Sequence, residues 1–358
     1  MKRLAALLAF TSVLAACGST ADVVPDAERA GPVFLARTAG AAGALVGYDA
    51  AGLERRFRLP AGIQAADGRS HYAIDGGTLR RFDPYTGELD RTYPLRGDWQ
   101  LGGVSANGRW LALQRNDGRR IRVLDARTGR VAHDLRFFSR FTVETVSSAG
   151  DFLFLQQNFV DGSYAVRGYD LLGGQMLPGS LGTKGRIIQM QGLASQVVAS
   201  PDGRWLLTLY VNTQTNTAFV HALNLIDRMA ICINLPPCTK CNRARLQDWA
   251  LALAPDGRTL FAANPSLGRV ATIYLPIQRL IAVSQFKPQV GGETRTAISR
   301  DGSQLAFTNG TSLWGFDTNA GWARELPTGA GAIADLGFRA DGTLLLARKG
   351  GPLLALEV

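Results

Sequence analysis

The chain has 358 residues, with 39 Lys and Arg against 29 Asp and Glu, a formal net charge of +10. Its apolar content of 46% is ample for a core, and the length suits one large domain or two smaller ones. Only five of the basic residues are Lys, and no basic run carries interleaved aromatics, so the positive charge reads as Arg-rich composition and a nucleic-acid-binding role is set aside. Histidine is scarce, with three residues in the whole chain.

At the start of the chain Lys2 and Arg3 precede an uncharged run from Leu4 to Ala16. A bilayer span needs about 20 apolar residues, so this run is too short to cross and reads as a secretion signal. Leu14-Ala15-Ala16-Cys17 resembles the lipobox of bacterial lipoproteins. That resemblance implies cleavage before Cys17, diacylglycerol on its thiol, and anchoring to a bacterial membrane facing away from the cytoplasm. Gly18 is not a retention aspartate, which by the same resemblance implies the outer membrane in a diderm. Loss of residues 1–16 leaves a net charge of +8. Residues 17–31 are small, polar and weakly patterned, as a flexible tether would be. No later segment is apolar and long enough to span a bilayer.

From residue 32 onward a turn of the form x-x-Asp/Asn-Gly, followed by an apolar strand, recurs along the chain. It reads "AADGRSHYAI", "SANGRWLALQ", "SSAGDFLFLQ", "SPDGRWLLTL", "APDGRTLFAA", "SRDGSQLAFT" and "RADGTLLLAR". The turn glycines are Gly68, Gly108, Gly150, Gly203, Gly257, Gly302 and Gly342, spaced 40 to 54 residues apart. A second hairpin follows each turn, as in "IRVLDARTGRVAHDL" and "LWGFDTNAGWAREL", where a strand ends in Asp and turns through Gly. Four antiparallel strands at a period near 40 residues predict an all-β fold, a β-propeller occupying residues 32–358 as a single domain. The units resemble YVTN-type and WD40-like (PD40) bacterial propeller repeats. "RTLFAANPSLGRVATIYLPIQRLIAVSQF" carries the first likeness, while "SPDGRWLLTL" and "SRDGSQLAFT" carry the second.

The two ends set the expected blade count. "ALVGYDAAGLERRFRL" is a second hairpin without a first, and the unit after Gly342 is a first hairpin without a second. Pairing them gives seven four-stranded blades, with the ring closed by the N- and C-terminal segments. The extra strand-like segments "PVFLAR" and "PLLALEV" keep an eight-bladed ring open.

The sequence offers little that looks catalytic. His71, His133 and His221 lie in strands, in no His-x-x-x-His or His-x-Glu pattern, and read as structural. No Gly-x-Ser-x-Gly elbow, Walker loop or EF-hand is present, and no cofactor is implied. Asp49, Asp83, Asp125, Asp170 and Asp317 stand before turns and read as turn residues, not as a carboxylate ring. Asp98-Trp99 and Asp248-Trp249 both open inner strands, so Trp99 and Trp249 face either a ligand or a neighbouring blade.

Two connections carry more chain than the period demands, one around Gly179 to Leu193 and one holding Lys240, Arg243 and Arg245. Long connections of this kind carry function more often than scaffold does, and the three cations would suit an anionic ligand. The second connection also holds Cys238 and Cys241, with Cys232 in the strand before it. In an oxidising compartment a disulfide is the default, most readily from Cys232 to Cys238 or Cys241. A structural zinc site of His221, Cys232, Cys238 and Cys241 and a reactive thiol stay open beside it. The expected function is non-catalytic binding or scaffolding of an envelope protein or glycan partner. The alternative is a lactonase-like propeller hydrolase.

Overall fold

A computed structural model describes residues 33–37, 44–212, 214–238, 241–329 and 331–358. The leader, Cys17, the tether and Lys240 lie outside the described residues. The described residues form eight antiparallel sheets, six of four strands and two, the first and last, of three. The sheets are consecutive in sequence. Each inner strand packs against that of the next blade at most seams, and the inner strand of the first blade packs against that of the last. The protein is an eight-bladed β-propeller, not a seven-bladed one.

The difference in count comes from the two ends. "PVFLAR" supplies an inner strand of its own, Val33–Arg37, paired with Leu45–Asp49 from Val33↔Asp49 to Arg37↔Leu45. "PLLALEV" supplies Leu353–Leu356, the third strand of the last blade. The N- and C-terminal segments therefore build two separate blades and share no strand pairing. Closure comes from side chains instead. Ala36 and Ala50 pack on Leu345, Ala347 and Leu353, the ring of Phe34 covers Gly337, and the Arg37 amide donates to an Asp335 carboxylate oxygen at 2.6 Å.

Each blade runs in the order that the repeat predicts. In blade 3, Trp99–Val104 is innermost, followed outward by Trp110–Arg115, Arg120–Asp125 and Arg130–Arg136. The seven turn glycines all have positive φ, between 64° and 87°, which is why Gly recurs there. At Gly150 a β-carbon would also lie 2.1 Å from the Trp110 ring of the preceding blade, so the close approach requires Gly a second time. The serine that opens several of these turns caps the strand that follows. Ser105, Ser147, Ser200 and Ser299 hydroxyls each accept from an amide five residues on, at 2.7–3.1 Å.

The second-hairpin aspartates are turn residues, as read from the sequence. Asp49, Asp83, Asp170 and Asp317 each accept two amide hydrogens from the turn they open, and Asp125 accepts one. The Gly52 and Ala51 amides hold the Asp49 carboxyl below its ordinary value. Both turn types lie at one end of the barrel of blades and are tied to each other. Examples are the amides of Ala126, Leu171, Leu225 and Leu275, which donate to carbonyls of Arg109, Asp151, Arg204 and Arg258 at 2.8–2.9 Å. The loops between hairpins and the blade-to-blade connections lie at the opposite end.

Candidate functional site

The two long connections occupy that loop face in different ways. After the short outer strand Gln175–Met176, the first connection stays on the edge of blade 4. Leu177 and Leu181 amides donate to Gly168 and Val166 carbonyls, and Met190 pairs with Tyr164. Between these anchors the chain folds on itself, with Ser180 bonded to Ile188 and to Arg186, and presents Ile187 and Ile188 to solvent. Two residues beyond the Arg140↔Asn158 pair, at the loop-face end of the first two strands of blade 4, Phe138 and Val160 are fully exposed. Val160 borders a groove of mixed lining, to which Gln114, Asn116, Arg140, Phe141, Asn158 and Phe159 contribute.

The second connection is clamped. Cys238 and Cys241 form a disulfide, and Asn242 caps the short helix Arg243–Gln247 by accepting from the Arg245 amide at 3.1 Å. Cys241, Leu246 and Trp249 then drop into the core between blades 5 and 6. Arg243 and Arg245 remain exposed on the loop face. The bridge expected from Cys232 is absent, and Cys232 is a free thiol. The physical reason is the strand pleat. Cys232 and His221 are paired residues on the side of blade 5 that faces blade 4, whereas Cys241 packs on the side that faces blade 6. The same pleat separates the four residues of the zinc expectation, two of which the disulfide consumes. Among the described residues no three His, Cys, Asp or Glu side chains converge as a metal site would require.

Trp99 and Trp249 are both buried. The Trp99 indole donates to the Arg96 carbonyl at 2.9 Å and lies under the Arg122 guanidinium, 4.4 Å from its centroid. Trp249 belongs to the blade 5 and 6 core. Both rings pack between neighbouring blades, and the Trp249 indole N–H is buried without a hydrogen-bond partner. His71 is held by the Pro60 carbonyl at 2.9 Å, and His133 sits in the outer strand of blade 3.

A concentration of titratable groups does occur, in a place the sequence did not mark. The seam between blades 4 and 5 is filled by a row of polar and aromatic side chains running from the inner strands outward. Glu144 sits at the bulge of the inner strand Arg140–Val146, where burial pushes its carboxyl up to about 7. Next, the Tyr210 hydroxyl donates to Gln156 Oε1 at 3.0 Å. The Tyr210 ring lies between those of Tyr164 and Phe219, at centroid distances of 5.1 and 5.4 Å. His221 approaches Tyr210 edge-on at 6.1 Å. At the outer end, Cys232 Sγ lies 3.2 Å from Met190 Sδ. Burial shifts these groups toward their neutral forms: His221 falls to about 4, the Cys232 thiol rises to about 11, and both tyrosine hydroxyls rise. The Tyr164 hydroxyl and both His221 ring nitrogens are buried without a hydrogen-bond partner. Aligning the repeats would have exposed the first member of the row. Glu144 stands six residues before its turn glycine, where blade 3 has Gly102.

No protein-family model matches the chain, and no curated protein matches it. Among solved structures, dihydro-heme d1 dehydrogenase NirN in complex with DHE is 18% identical, with a TM-score of 0.53, over 88% of this chain and 68% of that one. Kuenenia stuttgartiensis hydrazine synthase is 12% identical, with a TM-score of 0.46, over 82% and 94% of the two chains. The Cps50 (Swd1) β-propeller domain of Myceliophteria thermophila is 12% identical, with a TM-score of 0.45, over 83% and 95%. At these identities the likeness to NirN establishes the propeller fold alone.

Proposed function

We propose that the protein is a lipid-anchored, extracytoplasmic propeller that binds an envelope protein or glycan through its loop face and performs no chemistry of its own. The observation that carries this reading is the loop-face end of blade 4, where Phe138 and Val160 are fully exposed and Val160 borders a groove lined in part by Gln114, Asn116, Arg140 and Asn158. Large apolar side chains at full exposure next to a groove of mixed lining suit contact with a partner surface. The lipobox-like Cys17 and the YVTN- and PD40-like repeats support the location and the scaffold role. The lactonase-like alternative calls for titratable groups gathered at the channel. The inner-strand carboxylates of the described residues, Glu144 and Asp335, instead stand in blades 4 and 8, on opposite sides of the ring.

The test is photocrosslinking in intact cells from positions 138 and 160, with position 172 as the control. Leu172 is also strongly exposed but lies in the turn after Asp170, on the opposite face. One defined adduct from the first two positions and none from the third is expected, with the protein moving to the soluble fraction on Cys17→Ser. Equal labelling from all three positions, or lactone turnover abolished by Glu144→Gln, would overturn the reading.

A further inference from the structure

We propose that Met190, Cys232 and His221 form a binding site for a soft monovalent metal ion of the copper(I) class, at the outer end of the seam between blades 4 and 5. Three independent placements converge there. Met190, in the first long connection, is held by its two-way backbone pairing with Tyr164, and its thioether already lies 3.2 Å from the Cys232 sulfur. His221 is the residue directly opposite Cys232 on the neighbouring strand, so the two side chains leave the sheet on the same face. That face looks toward blade 4, because Phe219 and Leu223 beside His221 pack on Phe152 and Phe154.

The imidazole is the observation that points to a ligand. His221 is 1% exposed, and neither ring nitrogen has a hydrogen-bond partner. Buried polar atoms are nearly always paired, and an orphaned one calls for an explanation. The neighbours that the seam places against the ring are Tyr210, edge-on at 6.1 Å, and the paired Cys232. A metal ion bound to one nitrogen satisfies it, and the Tyr164 hydroxyl of blade 4 is likewise buried and unpartnered.

The donor set selects the ion. One thiolate, one thioether and one imidazole are soft to intermediate ligands, which favour copper(I) over magnesium, calcium or manganese. Charge decides against zinc. Copper(I) with a single thiolate is neutral overall, whereas a zinc ion with the same ligands would leave a net positive charge in an apolar seam. On binding, the Cys232 S–H bond is replaced by a sulfur–metal bond and the proton leaves to solvent. The ion arrives already reduced, so no electron is exchanged. Cys232 lies on the outermost strand of blade 5 and is exposed as a residue, which gives the ion an entry path. The Cys238–Cys241 disulfide packs on the other side of that blade and does not compete while it is intact.

The experiment is anaerobic titration of the full purified protein, disulfide intact, with copper(I) under ascorbate against a competing chelator, followed by X-ray absorption at the copper edge. One copper per chain is expected, with sulfur and nitrogen in its shell, and the Cys232 thiol should lose its reactivity toward a thiol reagent. Affinity should fall by about a hundredfold or more in Cys232→Ser and about tenfold or more in Met190→Leu, because loss of a ligand costs at least as much as loss of an outer-shell partner. His221→Gln should remove the nitrogen scatterer while sulfur remains. Copper bound equally well by Cys232→Ser, a shell without sulfur, or no stoichiometric binding by the wild-type protein would each overturn the proposal. Because none of these readouts involves a partner, the outcome is independent of the crosslinking result.

Discussion

The seams on the two sides of blade 4 are built on opposite principles. Toward blade 3 the inner strands meet closely. A β-carbon on Gly103 would lie 3.1 Å from the Thr145 backbone, the Thr145 hydroxyl donates to the Val104 carbonyl at 2.9 Å, and the Val143 amide donates to Gln114 Oε1 at 2.9 Å. Toward blade 5 the space is taken up by large rings and by groups that titrate, several of them without partners. The first seam couples blades through satisfied polar contacts at short range. The second relies on aromatic stacking and carries the desolvation cost of Glu144, His221 and Tyr164. The comparison teaches that one repeat can build either kind of seam, and that the choice turns on whether small or large residues occupy the facing positions.

The contrast can be broken most severely at Tyr210, whose ring is the middle layer of the blade 4 and 5 seam. Tyr210→Ala should lower unfolding free energy by about 4 kcal/mol, as large aromatic truncations in cores do, and a thermal melt should show it. Loss well under 1 kcal/mol would mean that the aromatic row is not what holds those blades together. Gly118→Ala attacks the other seam. Gly118 has φ +66°, and a β-carbon there would sit 2.6 Å from the Phe141 carbonyl oxygen of blade 4. Strain and clash together should cost about 3 kcal/mol in denaturant unfolding.

A finer contrast lies in pH dependence. The Glu144 carboxyl is raised in the folded state, so the fold binds that proton more tightly than the unfolded chain does. Its contribution favours acid, and stability is lost as pH rises from the ordinary carboxyl range through about 7. His221 works in the opposite sense across much of the same window, because its depressed value makes stability fall as pH drops from 6.5 toward about 4. The difference between wild type and Glu144→Gln therefore isolates the carboxyl. The variant should gain about 3 kcal/mol relative to wild type at pH 8 and well under 1 kcal/mol at pH 4.5, read from denaturant midpoints. A constant difference across that range would show that Glu144 is better solvated than its surroundings indicate.

Much of the fold was legible in the chain because the turn chemistry is local. Asp-Gly and Asn-Gly demand positive φ, Ser caps the next strand, and Asp before a turn binds its own amides, so each signal is complete within about six residues. The blade count was less legible. "PVFLAR" and "PLLALEV" could equally finish another blade or start one of their own, and only the pairing of Val33–Arg37 with Leu45–Asp49 decides it. The cysteines show the same limit. Their spacing put Cys232 within reach of Cys238 and Cys241 along the chain, yet the pleat turned them to opposite sides of one sheet.

By itself, then, the sequence determined an all-β propeller and the roles of its turn residues. All of these rest on backbone geometry that neighbouring residues set among themselves. The tertiary structure alone decided the number of blades, the Cys238–Cys241 pairing, and the gathering of Glu144, Tyr164, Tyr210, His221, Cys232 and Met190 in one seam. Those outcomes depend on which faces meet between sheets, and residues as far apart in sequence as Glu144 and Cys232 come to line one seam only when blades 4 and 5 pack together.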